Sequence, residues 1–376
     1  MTQRIYLDHA ASSPLLPEVI DTMMATMQSI NGNPSSTHRE GVIARNIIEE
    51  SRKVLAQFLH TSPSQIFFTS GATESNNIVI QSIIRSGTVE HIIYSPLEHP
   101  SILNAINHYC KNNSISLHPL HPNEFGAIDL NELDEILMNC GKNSMVSLMH
   151  THNVLGTILP ISEVSEICKR HGVIFHSDTV QSIGLLDINV TEIGLSSIIG
   201  SGHKFNGPKG IGFMYLKDPT HTIPMIMGGS QERNIRAGTE NIVGITGMIK
   251  AIELAKINKE ARLKHIEFLH QKLRNGLIER GLTNQFNTPT SNYLPKILSA
   301  YFEERKEIDW LLMNLDIEGV AVSGGSACAS GSEKASHINE YLRPNTKGKS
   351  VRFSISHLNT EEEINQTLNI LTKILN

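Results

Sequence analysis

Between Gln65 and Leu216 short apolar runs alternate with stretches of helical spacing, and this alternation limits the possible fold more than any other feature of the chain. Seven runs read as strands: Ile66 to Thr69, Ile92 to Ser95, Ile115 to Pro119, Met145 to Met149, Val173 to His176, Leu195 to Ile199 and Ile211 to Leu216. Helices between most of them predict an α/β domain with a largely parallel sheet. In such sheets ligands collect just beyond the carboxyl ends of the strands. The residues expected there are Ser70 to Thr73, His99, Thr151 to Asn153, Asp178 with Gln181, and Ser201 to Lys204.

The 376 residues are too many for one small core and suit a large domain with a smaller one. Ile5 to Pro14 reads as an extended arm, followed by a helix from about Pro17, where proline is tolerated in the first turn. The loop Asn31 to His38 reads as a connector. Ile43, Ile47, Ile48, Val54, Leu55 and Phe58 then mark an amphipathic helix. After the loop Ser230 to Thr239, one long helix from about Ile242 to Arg280 is expected to bridge to a second region. That region has strands near Lys296 to Tyr301, Val320 to Ser323 and Val351 to Ile355, with helices near Glu307 to Leu315 and Glu361 to Leu375. The expected division is a large domain over 15–255, and a small α/β domain formed by 1–14 and 256–376.

Hydrophobic residues at 39% and charged residues at 18% describe a globular protein. A net charge of -5 without a basic cluster argues against nucleic acid as a direct ligand. No apolar run reaches the length of a membrane span and the first residues lack the apolar core of a signal peptide, so a cytoplasmic location is the expectation. Cys110, Cys140, Cys168 and Cys328 form no Cys-x-x-Cys pair and have no histidine at ligand spacing, so neither a disulfide framework nor a metal site is expected.

Lys204 stands in Ile199-Gly-Ser-Gly-His-Lys-Phe-Asn-Gly-Pro-Lys-Gly-Ile211, a turn rich in glycine and proline between two strands. A partly desolvated lysine loses its proton more easily and can form a Schiff base with an aldehyde cofactor; a solvated surface lysine is the plainer alternative. Ser70-Gly-Ala-Thr-Glu74 follows a strand and opens a helix, which suits either a phosphate or ordinary capping. Asp178 could pair a protonated ring nitrogen or serve as a loop acid, and Gln181 stands three residues on. His99 could lie flat on the same ring. Each alone favours the plain reading. Together they supply phosphate holder, stacking ring, ring-nitrogen partner and amine, the four roles of a pyridoxal 5'-phosphate site.

At these motifs the chain resembles the cysteine desulfurases of the NifS/IscS type, in the class V branch of the fold type I aminotransferase superfamily. The matching stretches include Tyr6 to Ala11, Gly32 to Ser36, Thr69 to Asn76, Glu98-His99, Ser201 to Lys204, Gly207 to Gly212, Arg236 to Thr239, Gly325 to Cys328 and Val351 to Ser354, so nearly the whole chain is covered. The resemblance implies a large domain with a mostly parallel seven-stranded sheet and a smaller α/β C-terminal domain carrying a cysteine loop. It implies that Lys204 is the Schiff-base lysine, that Asp178 pairs the pyridine nitrogen, and that Gln181 and His99 contact the ring. Ala72, Thr73, Ser201 and His203 would surround the phosphate, and Thr239 would reach the partner subunit's cofactor in a homodimer. Asn153, also beside the cofactor, and Arg352 would hold the carboxylate of L-cysteine. Cys328, in a run of small residues, would take the sulfur as a persulfide, with Lys204 and His99 moving protons, and deliver it to an acceptor protein. The separation of Cys328 and Arg352 resembles the long-loop group I enzymes.

Three segments depart from the family pattern. His152 and Val154 replace the usual first Asn and the Glu near Asn153, Lys334-Ala335 replaces Glu-Pro, and Ser356-His357 follows the Arg352 strand. A selenocysteine lyase, another class V aminotransferase and a non-catalytic scaffold are the competing readings. A mobile thiol at Cys328 would separate the desulfurase from a transaminase.

Overall fold

The computed structural model describes residues 4–111, 113–305, 307–324, 337–344 and 346–375. A short arm, β1 (Ile5–Tyr6), precedes helices α1 (Pro17–Ser29) and α2 (Arg39–Leu59). Strands and helices then alternate: β2 (Ile66–Thr69), α3 (Ala72–Arg85), β3 (His91–Tyr94), α4 (Pro100–Cys110), β4 (Ser116–Pro119), α5 (Leu130–Cys140), β5 (Ser144–Ser147), α6 (Ile161–His171), β6 (Ile174–Asp178), α7 (Val190–Ile193), β7 (Ser197–Ser201) and β8 (Gly212–Leu216). The remainder holds α8 (Ile242–Lys256), α9 (Lys259–Glu279), β9 (Gln285–Phe286), β10 (Ile297–Phe302), α10 (Leu311–Ile317), β11 (Val320–Ala321), α11 (His337–Leu342), β12 (Lys349–Ser354) and α12 (Glu361–Leu375).

The seven strands β2 to β8 form one sheet in the order β2-β8-β7-β6-β5-β3-β4. Its pairs are parallel except at β8, which runs antiparallel to both β2 and β7. The reason is local: β7 and β8 are joined by the Lys204 turn, which is too short for the helical crossover that a parallel pair requires. Successive side chains leave the sheet on opposite faces. Phe68, Ile93, Val146, Ile198 and Phe213 join the core beneath α1, α2, α5, α6 and α8. Phe67, Ile92, Met145, Ile199 and Met214 join the core beneath α3 and α4. Both faces are therefore dry, as a mostly parallel sheet covered by helices demands.

A third core draws on Ile5, Leu7 and apolar residues from Ile266 to Leu375, around the antiparallel sheet β12-β10-β9. The arm joins it because β1 pairs in parallel with β11 and Asp8 bridges to Ser354. This partition of cores supports, as a proposal, domain boundaries near residues 14 and 255. The expected single helix from Ile242 to Arg280 is two helices, α8 and α9. Asn258 interrupts them with φ +54°, a left-handed conformation that asparagine tolerates better than most residues. Among the described residues, no helix is long and apolar enough to cross a membrane.

Candidate active site

The carboxyl ends of β2, β6 and β7 meet the start of α3. Gly71 caps α3 without a side-chain hydrogen bond, which leaves the backbone N–H groups of the first turn, including those of Ala72 and Thr73, aimed outward at the positive end of the helix. A Cβ on Gly212 would lie 2.6 Å from the Gly71 Cα and 2.6 Å from the Gly200 carbonyl oxygen, so glycine is what lets the three segments close up. Ser201 is buried, with its Oγ 3.7 Å from where a Gly71 Cβ would stand. Glu74, in the same first turn, is neutralised by Arg236 at 3.0 Å. The result is a small cradle of N–H and O–H donors suited to a phosphate.

Asp178 ends β6 and is buried, accepting hydrogen bonds from Asn76 Nδ2 at 3.0 Å and from the Val180 N–H at 3.0 Å. Asn76 also donates to Ser101 Oγ at 2.9 Å. His99 is the N-cap of α4, and its Nδ1 accepts from the Ser101 N–H at 3.1 Å. The proton of the neutral ring therefore sits on Nε2. Burial pushes the His99 imidazole below its usual range; Asp178 opposes this, whereas Lys204 and His337 add to it. Gln181 donates through Nε2 to the Ala10 carbonyl at 3.0 Å, while its buried Oε1 has no partner among the described residues.

Lys204 ends a single 3-10 turn after β7, and its Nζ donates to the carbonyls of Ala10 and Ala11 at 2.8 and 2.9 Å. The arm thus reaches the amine of the opposite element. His203 contacts Ser12 Oγ at 3.3 Å and is pushed down to about 4, first by burial and then by the charges of Lys204, Lys209 and Lys296. Arg352, on β12 and 1% exposed, donates to the Asn153 carbonyl at 2.9 Å and to Asp8 Oδ1 at 2.8 Å. His99, Asn153, Lys204, His337 and Arg352 line one pocket together with Ala10 and Ala11.

Of the residues expected from sequence, Ala72, Thr73 and Ser201 form the cradle, and His99, Asn153, Lys204 and Arg352 share the pocket. Thr239 is exposed on the loop before α8 and does not line that pocket. Cys328 lies outside the described residues, as does Lys334-Ala335. Asn76, Ser101, Asp8 and Lys296 were not singled out. Asn76 and Asp8 lie inside motifs that already drew notice, but their contacts link distant segments. Lys296 gave no signal at all: it is buried, donates to the Lys204 carbonyl at 2.9 Å, and is pushed down to about 7 by burial and by the charges of Lys204 and Arg352.

The altered segment beside Asn153 has a packing explanation. Val154 and Leu155 are buried against Leu97 and Ile338 of α11, where a carboxylate would be costly. His152 Nδ1 accepts from the N–H groups of Val154 and Leu155 at 3.1 and 3.2 Å, which closes the turn.

A helix end without a side-chain cap, a buried carboxylate, an amine and a Gln181 Oε1 without a partner among the described residues fit pyridoxal 5'-phosphate from phosphate to ring nitrogen. Fold and site together define an enzyme of fold type I that works with this cofactor. The model of the class V aminotransferases matches residues 5–367. The chain is 38% identical over 379 residues to the cysteine desulfurase IscS of Dictyoglomus turgidum, covering 100% of this chain and 95% of that protein. It is 33% identical to an IscS-like cysteine desulfurase of Mycobacterium tuberculosis, over 97% of this chain and 95% of that one. A solved NifS-like protein, 31% identical, superposes with a TM-score of 0.91 over 99% of both chains. The chain belongs to the class V aminotransferase family, in its NifS/IscS-like cysteine desulfurase branch, and like that family depends on pyridoxal 5'-phosphate.

Proposed function

We propose that this chain converts L-cysteine and the Cys328 thiol into L-alanine and a Cys328 persulfide, whose outer sulfur then passes to an acceptor protein. The observation that carries this reading is the single pocket where Lys204, His99, Asn153 and Arg352 converge. Pyridoxal 5'-phosphate, when bound, supplies a ring that draws electrons from the substrate Cα. Ala72, Thr73, Ser201 and His203 would hold its phosphate, Asp178 would pair the ring nitrogen, Gln181, His99 and Asn153 would contact the ring, and Lys204 would supply the amine that anchors it.

Arg352 and Asn153 hold the substrate carboxylate. Asp8 keeps the guanidinium pointed into the pocket, because its own bond occupies one Nη and fixes the plane of the fork. Lys204 removes the Cα proton, and His99 Nε2 holds or returns a proton within the same pocket. The Cys328 thiolate attacks the substrate sulfur: the S–S bond forms, the Cβ–S bond breaks, and its electron pair moves to Cβ, which takes up a proton. Burial raises the thiols of Cys110, Cys140 and Cys168, the last to about 12, so none of the described cysteines is a ready thiolate. That supports Cys328 as the nucleophile.

A homodimer is part of the proposal. Thr239 is exposed, and Ile20, Met24 and Met27 on α1 with Val42 and Ile43 on α2 expose apolar side chains that a second copy would cover. The test of the function is L-cysteine turnover by the purified holoenzyme, with alanine formed in step with sulfur released. Cys328→Ser should keep the substrate-induced absorbance change and lose turnover. Full turnover in that variant, or added sulfur found by mass spectrometry on another cysteine, would refute the assignment.

A further inference from the structure

Three side chains that take no part in this reaction meet near the amino-terminal end of β3, at the β3–β4 edge of the large sheet. His91 opens β3, His118 lies on β4, and Cys140 closes α5 shortly before β5 begins. His91 Nδ1 and His118 Nε2 are 3.0 Å apart, His118 Nε2 and Cys140 Sγ are 3.5 Å apart, and the three atoms all lie within 4.8 Å of one another. Tetrahedral zinc, with bonds of about 2.0 Å to nitrogen and about 2.3 Å to sulfur, sets two nitrogen ligands about 3.3 Å apart and a nitrogen and sulfur about 3.5 Å apart. The His91–His118 and His118–Cys140 separations lie within about 0.3 Å of that geometry, and an ion would draw His91 and Cys140, which lie within 4.8 Å of each other, closer together by side-chain rotation. All three residues are half-buried, so the cluster is open to solvent.

We propose that His91, His118 and Cys140 bind one zinc ion, with water in the fourth position. The donor set, two imidazoles and a thiolate, suits zinc better than magnesium or calcium, which prefer oxygen. Ligation by a thiolate releases the thiol proton, so binding strengthens as pH rises. The ion would tie α5 and β3 to β4, the edge strand of the large sheet. The absence of ligand spacing in the sequence concealed the cluster: His91 and His118 are 27 residues apart, and His118 and Cys140 are 22 apart.

A separation of 3.0 Å also fits a single N–H···N hydrogen bond between the imidazoles, and binding measurements separate the two cases. Holoenzyme stripped with a chelator is titrated with zinc chloride against a chromophoric competitor near neutral pH. The expected result is about one zinc per chain, with affinity weakened roughly tenfold or more in His91→Ala, His118→Ala and Cys140→Ser and unchanged in Cys328→Ser. In the wild type, zinc should also protect Cys140 from iodoacetamide, read by mass spectrometry of its peptide, a measurement that needs no variant to fold. No uptake at micromolar free zinc, uptake lost only in Cys328→Ser, or Cys140 alkylated equally with and without zinc would each overturn the proposal.

Discussion

The two ends of the large sheet organise polar groups in opposite ways. At the carboxyl end each functional side chain is held by others: Asp178 by Asn76, His99 by Ser101, Arg352 by Asp8 and the Asn153 carbonyl, and Lys204 by the arm. At the amino end His91, His118 and Cys140 are half-buried, and His118 contacts both of the others. The first arrangement orients its groups before any ligand arrives, which is what proton transfer at a defined atom requires. The second gains its order from an ion, and so contributes stability only when the ion is present.

Lys204→Ala breaks this comparison most severely. It removes the covalent amine and the base together, and turnover should fall by roughly 10⁴-fold or more. The visible absorbance of the cofactor should no longer be reducible by borohydride onto the protein; survival of a reducible band would show another lysine at work. Arg352→Ala comes next, with intact cofactor and a weaker grip on L-cysteine. A charge-assisted hydrogen bond is worth about 1.5 to 3 kcal/mol, so KM should rise roughly tenfold to a hundredfold. Asp8→Asn sharpens the same test: a smaller rise in KM is expected if Asp8 only orients the guanidinium, and an unchanged KM in both variants would remove Arg352 from substrate binding.

Acid should weaken the fold with a definite sign. Burial pushes His150, His176 and His270 down to about 4, whereas in the unfolded chain a histidine titrates near its usual value of about 6.5. Between those values the unfolded chain binds more protons, so stability is full above about 6.5 and falls as pH drops toward 4. Chemical unfolding followed across that range should show the slope, and His270→Gln should flatten it. The smallest effect belongs to the amino end. His91→Ala should leave zinc-free turnover within about twofold of wild type, because distant sites act independently. A large loss there would mean that the two ends are coupled.

Much of the carboxyl end could be read from the chain because its geometry is local. A residue just after a strand in an α/β pattern must emerge at that end of the sheet, so Thr73, His99, Asp178, Ser201 and Lys204 were legible as one constellation. Arg352 was placed only through family resemblance, since it arrives from a different sheet, on β12. The break at Asn258 was missed because apolar spacing continues on both sides of it, and a single left-handed residue leaves little trace in periodicity.

By itself the sequence determined the alternation that makes the sheet, the two-faced burial of its strands and the membership of Lys204 in a strand-end turn, because each follows from residue type and spacing over a few positions. Only the tertiary structure decided what long-range closure decides. It brought the Ala10 and Ala11 carbonyls to the Lys204 amine, Asp8 to Arg352, Lys296 to the back of the site, and His91, His118 and Cys140 to one point. Such contacts depend on how separate elements pack, and packing is set by the summed burial of whole faces, with no local pattern to announce which two side chains will meet.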